Sequence, residues 1–390
     1  MRHAPTTPRP DGPRSRSNLA CAGASLALLA ACASGPERDV VRLHAAFGTA
    51  TDIVVEGRVL EDVVAPREAS ENDRSRVNLR RNASLFTSEE CDECPVDLVV
   101  DGASARRTIT DDEGFFRVEL GPPADGPAGD VATDGVETGD GSTDDIATGA
   151  AARDGWRPLL ATSGGTETRG AVLVVPPDNR LGIVSDIDDT VLVTEVGDRY
   201  RMLGNTFFRN PLQRDAVEGM ASLYERILAS NPRPDAAPLF YLSSSPRELN
   251  GYLGAFLEWN GFPRGVLITR RLTLDRIGYE RLDSVAYKTA RLVDILERLP
   301  DVTFVLVGDD GENDPRIYEG VRERYPDRIA AIWIRRANPL GPALLPAGQV
   351  ELGAVLDGRV PLPTLQSVTP LAGDAAGPRS LPTLAGTALR

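Results

Sequence analysis

Residues 181–191 read Leu181-Gly182-Ile183-Val184-Ser185-Asp186-Ile187-Asp188-Asp189-Thr190-Val191. A short apolar run ends in a cluster of carboxylates and a hydroxyl. The same figure returns downstream. Leu239–Leu242 runs into Ser243-Ser244-Ser245, and Thr303–Val307 runs into Gly308-Asp309-Asp310-Gly311-Glu312-Asn313-Asp314. Val266–Ile268 and Ala331–Ile334 are further short apolar runs, and all five read as strands buried on both faces. Between them, Val217–Leu228, Pro246–Asn260, Tyr287–Leu299 and Pro315–Tyr325 read as helices. Ser245-Pro246-Arg247-Glu248 has the form of a capping box with proline at the first helical position. Strands alternating with helices predict an α/β fold with a Rossmann-like parallel sheet. Ligands of such sheets bind at the carboxyl ends of the strands. Three acidic or hydroxyl clusters converge there, together with Lys288, which opens the helix before the last of them.

Composition narrows the chemistry. The 390-residue chain is 41% hydrophobic, enough for a sizeable core, and its formal net charge of -14 argues against a nucleic-acid partner. Its two histidines, His3 and His44, both precede residue 51, so the α/β segment holds no Ser-His-Asp triad and no histidine-bearing metal site. Of 43 basic side chains only Lys288 is a lysine, and no glycine-rich phosphate loop leads into it. Where any cation would serve, this chain uses arginine. A lone lysine therefore marks a position that needs a compact point charge, able to reach a single phosphoryl oxygen.

With Ser185-Asp-Ile-Asp-Asp-Thr-Val191, Phe240-Tyr-Leu-Ser-Ser-Ser-Pro246, Lys288 and Val307-Gly-Asp-Asp-Gly-Glu-Asn-Asp-Pro315 in place, the segment resembles the haloacid-dehalogenase superfamily. Residues from about 175 to 336 are more closely similar to the catalytic domain of the actin-patch-type phosphatidate phosphatases and their bacterial relatives. The resemblance implies an aspartyl-phosphate mechanism. Asp186 would be the nucleophile and Asp188 the general acid and base, with Ser243 and Lys288 on the phosphoryl oxygens and Thr190 orienting the loop. Mg²⁺ would be held by Asp186, the backbone carbonyl of Asp188, and Asp309, and either Asp310 or Asp314 would join Asp309 near the metal. The gaps between motifs leave no room for a large cap, and an open site suits a membrane phospholipid. Arg199, Arg201, Arg209, Arg214, Arg264, Arg270 and Arg271 fall in these gaps, where they would contact an anionic surface or form a solvated face. The function expected is a Mg²⁺-dependent phosphatidate phosphatase giving diacylglycerol and phosphate. Alternatives are a phosphatase of another lipid or protein phosphomonoester, and a non-catalytic envelope binding protein.

The rest of the chain supplies an address and a second domain. Residues 1–32 read as a lipoprotein signal peptide: an arginine-bearing start, an apolar centre too short to span a bilayer, and Leu29-Ala30-Ala31-Cys32 as lipobox, with Cys32 lipidated. The protein would then sit in the cell envelope, anchored to the outer membrane on its periplasmic face in a Gram-negative host. Residues 33–50 read as a flexible tether, 51–178 as a small all-β sandwich-like domain, 179–336 as the catalytic domain and 337–390 as a mostly disordered tail. Strands are expected at 51–62, Val96–Val100, Ala105–Ile109, Phe115–Leu120 and Arg169–Val175, with a long loop between Leu60 and Cys94. Residues 121–152 carry seven acids and no base, and read as a disordered insertion. An envelope location also makes a local Cys91–Cys94 disulfide plausible.

Overall fold

The structure, a computed structural model, describes residues 40–61, 69–86, 89–102, 104–121, 155–193, 209–271, 284–338 and 344–368. The segment read as a signal peptide, with Cys32, the acidic stretch beyond residue 121 and the tail beyond residue 368 lie outside the described residues.

The α/β domain is a sheet of six parallel strands: β9 (Leu181–Ser185), β10 (Leu239–Pro246), β11 (Val266–Arg270), β12 (Thr303–Asp309), β13 (Ile329–Arg335) and β14 (Gln349–Glu351). They lie in the order β11-β10-β9-β12-β13-β14. The first strand is central, and the chain winds outward from it first to one side and then to the other. A crevice therefore opens beyond the carboxyl end of β9, between its neighbours β10 and β12. The apolar runs read from the sequence are these strands, and they face two cores. Ile183, Tyr241, Val305 and Val307 enter one, which also takes Met220, Tyr224, Leu253 and Phe256. Val184, Phe240, Leu306 and Ile334 enter the other, which takes Leu292, Ile295, Ile317 and Tyr318.

After a first helix α1 (Ser75–Ser84) in the N-terminal domain, the helices that fill these cores are α2 (Met220–Leu228), α3 (Asn250–Trp259), α4 (Ser284–Arg298) and α5 (Asp314–Arg324). The capping box expected at Ser245 does not form. β10 runs on through Pro246 and a single 3-10 turn (Arg247–Leu249) precedes the helix, so the Ser245 hydroxyl is carried to the site instead. The tail is ordered over part of its length: Gln349–Glu351 extends the sheet beside β13, and Leu352 and Val355 of the next helix are buried. A three-residue strand and a five-residue helix are too short to show a period.

The N-terminal domain is one mixed, curled sheet of eight strands rather than a sandwich of two. Its strands are β1 (Val40–Gly48), β2 (Ile53–Glu61), β3 (Glu89–Glu90), β4 (Pro95–Val100), β5 (Ser104–Ile109), β6 (Phe115–Leu120), β7 (Trp156–Ser163) and β8 (Thr166–Val174). β1 falls within the stretch expected as tether. Its register shifts between Leu43 and Ala46, and such a bulge breaks the alternation by which a strand is recognised. Pro158 masks β7 in the same way. Where a loop was expected, Ser75–Ser84 is a helix whose buried side chains include Asn78 and Asn82. Their amides bond to Gln213 and to the carbonyl of Arg209, so the packed face is polar and offers no apolar stripe to read. Cys91 and Cys94 form a disulfide.

Candidate active site

Asp186 is the first residue past β9. Its N–H donates to the Val307 carbonyl at 2.8 Å, so the backbone is still fixed by the sheet where the strand ends. The chain then turns tightly. The N–H groups of Thr190, Val191 and Leu192 all point to the Ile187 carbonyl, and Asp189 takes a left-handed φ of 56°, which a short polar residue tolerates. Thr190 is buried inside this turn, its hydroxyl without a hydrogen-bond partner.

Five elements meet at the crevice, β9 and β10 among them. Lys288 comes from α4, Asp309 ends β12 and Asp314 begins α5. Lys288 Nζ donates to Asp186 Oδ1 at 2.8 Å and to Asp314 Oδ1 at 2.7 Å, and Glu312 Oε2 stands 3.1 Å away. Asp309 Oδ1 accepts the N–H groups of Gly311 (2.5 Å) and Glu312 (3.1 Å). Ser243 and Ser245, on alternate positions of β10, both donate to Asp188 Oδ2, at 2.8 and 2.9 Å. The two candidates left open beside Asp309 are thereby separated. Asp314 faces the cluster, whereas Asp310 turns away to accept the N–H groups of Ala337 and Asn338, each at 2.7 Å.

The site is dense in negative charge. Burial raises the Asp186 carboxyl well above its ordinary range; Lys288 opposes the shift, while Asp314, Asp309 and Glu312 add to it. Asp309 is pushed up to about 7 by burial and by Asp314. Burial also raises Asp188, against the two serine hydroxyls that favour its charged form. For Lys288, burial works against the charge, but Asp186, Asp314 and Glu312 outweigh it and hold the ammonium well above its usual value. Carboxylate oxygens of Asp186, Asp309 and Asp314 all lie within 4.8 Å of one another. Asp186 Oδ2 and Asp309 Oδ2 are buried without a hydrogen-bond partner. Hard oxygen donors, too negative together and incompletely satisfied, fit a divalent cation.

Residues 181–336 match the family model described as phosphatidate phosphatase APP1, catalytic domain. The resemblance of this segment to the APP1-type catalytic domain, read from the motifs, is thus borne out. Among curated proteins, phosphatidate phosphatase APP1 of Saccharomyces cerevisiae is 32% identical over 158 residues, 40% of this chain and 26% of the yeast protein. An uncharacterised protein of Schizosaccharomyces pombe is 31% identical over 157 residues, 40% of this chain and 25% of the relative. The chain thus spans about a quarter of the length of these relatives.

Sequence reasoning missed Ser245 and Glu312. In the sequence Ser245 reads as a helix cap, whereas it shares a strand face with Ser243, and nothing there distinguishes Glu312 within the acidic loop. Three of the arginines offered as surface contacts have partners within the protein. Arg264 stacks on Trp156, Arg270 lies over Tyr287, and Arg271 is held by Asp111 and Glu113. Of these, Arg271 is engaged in ion pairs with the N-terminal domain.

Proposed function

We propose that this protein is a Mg²⁺-dependent phosphatidate phosphatase that releases diacylglycerol and phosphate from a membrane phospholipid. The observation that supports this most is the convergence of Asp186, Asp309, Asp314 and Lys288 in the crevice beyond β9, within a domain of the APP1 catalytic type. Asp186 attacks phosphorus and forms an aspartyl-phosphate as the ester P–O bond breaks, and Asp188 gives its proton to the leaving alkoxide. Asp188 then takes a proton from water, whose oxygen attacks the phosphorus and frees Asp186. Burial favours the protonated form that Asp188 needs at the outset. Both serine hydroxyls bond to Oδ2, which supports Oδ1 as the bearer of the transferable proton. Asp186, Asp309, Asp314 and the Asp188 carbonyl would hold Mg²⁺, which when bound offsets the charge of the phosphoryl oxygens.

No helix among the described residues is long and apolar enough to cross a membrane. The envelope location proposed here rests on lipidation of Cys32, which would keep the domain against phospholipid. Cell fractionation and intact-mass measurement of Cys32→Ser test it: an unprocessed or released protein is expected. For the activity, phosphate release is measured over phosphatidate, other phospholipids and soluble phosphomonoesters, with Asp186→Asn as control. Phosphatidate should be the best substrate. A preference for another lipid or a protein phosphomonoester would keep the chemistry and replace the substrate, and release unaffected by Asp186→Asn would refute the mechanism.

A further inference from the structure

Glu56 lies in the middle of β2, in the N-terminal domain, and only 3% of its surface is exposed. Its carboxylate stands among guanidinium groups from three other elements. Oε1 accepts from Arg291 Nη1 at 2.7 Å and from Arg117 of β6. Oε2 accepts from Arg247 Nη2 at 2.5 Å and from Arg291 Nη2 at 3.3 Å. Burial opposes the charge on Glu56, but Arg291 and Arg247 outweigh it and hold the carboxyl at about 2.

Two of these arginines are close in sequence to the site. Arg247 follows Ser245 by two residues and forms the turn into the next helix. Arg291 lies one helical turn beyond Lys288 on α4. The two guanidinium groups repel one another across the carboxylate that joins them. Arg247 is further fixed by its Nε bond to the Thr269 carbonyl at 3.3 Å. Glu56 is therefore the common anchor of the strand end bearing Ser243 and Ser245 and of the helix bearing Lys288.

We infer that Glu56 is a positioning residue of the phosphatase site, through which the N-terminal β-domain sets the separation between the Ser243–Ser245 strand end and Lys288. The inference rests on the phosphatase reading above. It assigns the β-domain a part in turnover, beyond carrying the catalytic domain. Removing the carboxylate charge leaves Arg117, Arg247 and Arg291 facing one another, and the two supports move apart. A displacement of about 1 Å at reacting groups can cost roughly 100-fold in rate.

The experiment compares full-length wild type, Glu56→Gln, Glu56→Asp and Arg298→Gln in phosphate release, each well below its own Tm. Arg298 is the control. It also ties α4 to the β-domain, through Asp52 and Glu119, but at the far end of the helix from Lys288. Wild-type activity is established first, so its absence would fail the phosphatase reading and not this inference. Glu56→Gln should lose about 10- to 100-fold in kcat with KM changed less than about threefold. Glu56→Asp keeps the charge but shortens the reach, and should lose about tenfold while staying folded. Arg298→Gln should keep kcat within about twofold, whatever its effect on Tm. Wild-type kcat in a folded Glu56→Gln overturns the inference; if that variant does not fold, wild-type kcat in Glu56→Asp does so. An equal kcat loss in Arg298→Gln also overturns it, because domain docking alone would then explain the effect.

Discussion

Lys288 Nζ lies 2.8 Å from Asp186 Oδ1 in a space where the lysine side chain is 1% exposed. The same ammonium meets Asp314 and Glu312, so the only lysine of the chain is enclosed by carboxylates on three sides. A guanidinium carries the charge but is a wider, planar group that does not fit a point-charge enclosure. Lys288→Arg should therefore lose about 100-fold or more in kcat with an unchanged circular dichroism spectrum. Turnover near that of wild type would show that charge alone suffices there.

Asp186, Asp309 and Asp314 crowd one another around the single ammonium of Lys288, and burial raises all three. A ligand that binds only the folded state stabilises it by mass action. Mg²⁺ should thus raise the Tm of the wild type, and EDTA should abolish both the increment and phosphate release. In Asp309→Asn, removing one of the crowded charges should leave the metal-free protein at least as stable as wild type, with the Mg²⁺ increment gone. Differential scanning fluorimetry at several Mg²⁺ concentrations measures both effects. An undiminished increment in the variant would remove Asp309 from the metal site.

Gly308 explains how Asp314 comes so close to Asp309. A Cβ at position 308 would stand 2.4 Å from Asp314 Oδ2 and 2.8 Å from the Tyr318 ring. Both neighbours are buried, and Tyr318 OH is itself held by the Val307 carbonyl at 3.0 Å. Asp314 must move if Gly308→Ala is to be accommodated. The expected result is Mg²⁺ affinity weakened by about tenfold or more, with a stability loss of about 1–3 kcal/mol from overpacking. Metal titration followed by activity and by Tm separates the two.

The α/β domain was legible because its signals are local: apolar runs that match buried strands, and acidic or hydroxyl clusters at the carboxyl end of each strand that builds the site. The N-terminal domain was less legible, since its ordering signals are polar or interrupted. β1 carries a bulge, β7 a proline, and the helix Ser75–Ser84 packs through asparagine amides. Glu56 was invisible for a related reason. A carboxylate in a strand reads as a solvent-facing position, and only the fold brings Arg117, Arg247 and Arg291 around it. Asp314 was separable from Asp310 only once the first turn of α5 had a direction.

His44 gives the interface between the domains a defined response to pH. It lies on β1, its Nδ1 3.1 Å from the Asn250 amide and its Nε2 buried without a partner. Burial, reinforced by Arg247, lowers its pKa to about 3, against an ordinary value of 6.5. The folded protein therefore keeps a neutral imidazole while the unfolded chain takes up a proton below about pH 6.5. The stability that His44 contributes is complete above pH 6.5 and is lost as the pH falls toward 3, at about 1.4 kcal/mol per pH unit. The other histidine, His3, precedes the described residues. Glu56 and the remaining carboxylates titrate in wild type and His44→Gln alike, so the difference between the two isolates the imidazole. Urea unfolding at pH 7.5, 6.5, 5.5 and 4.5 should show wild type losing stability faster than His44→Gln below pH 6.5, and parallel curves above it. Parallel curves throughout would mean that the imidazole takes up its proton in the folded state as it does in the unfolded chain.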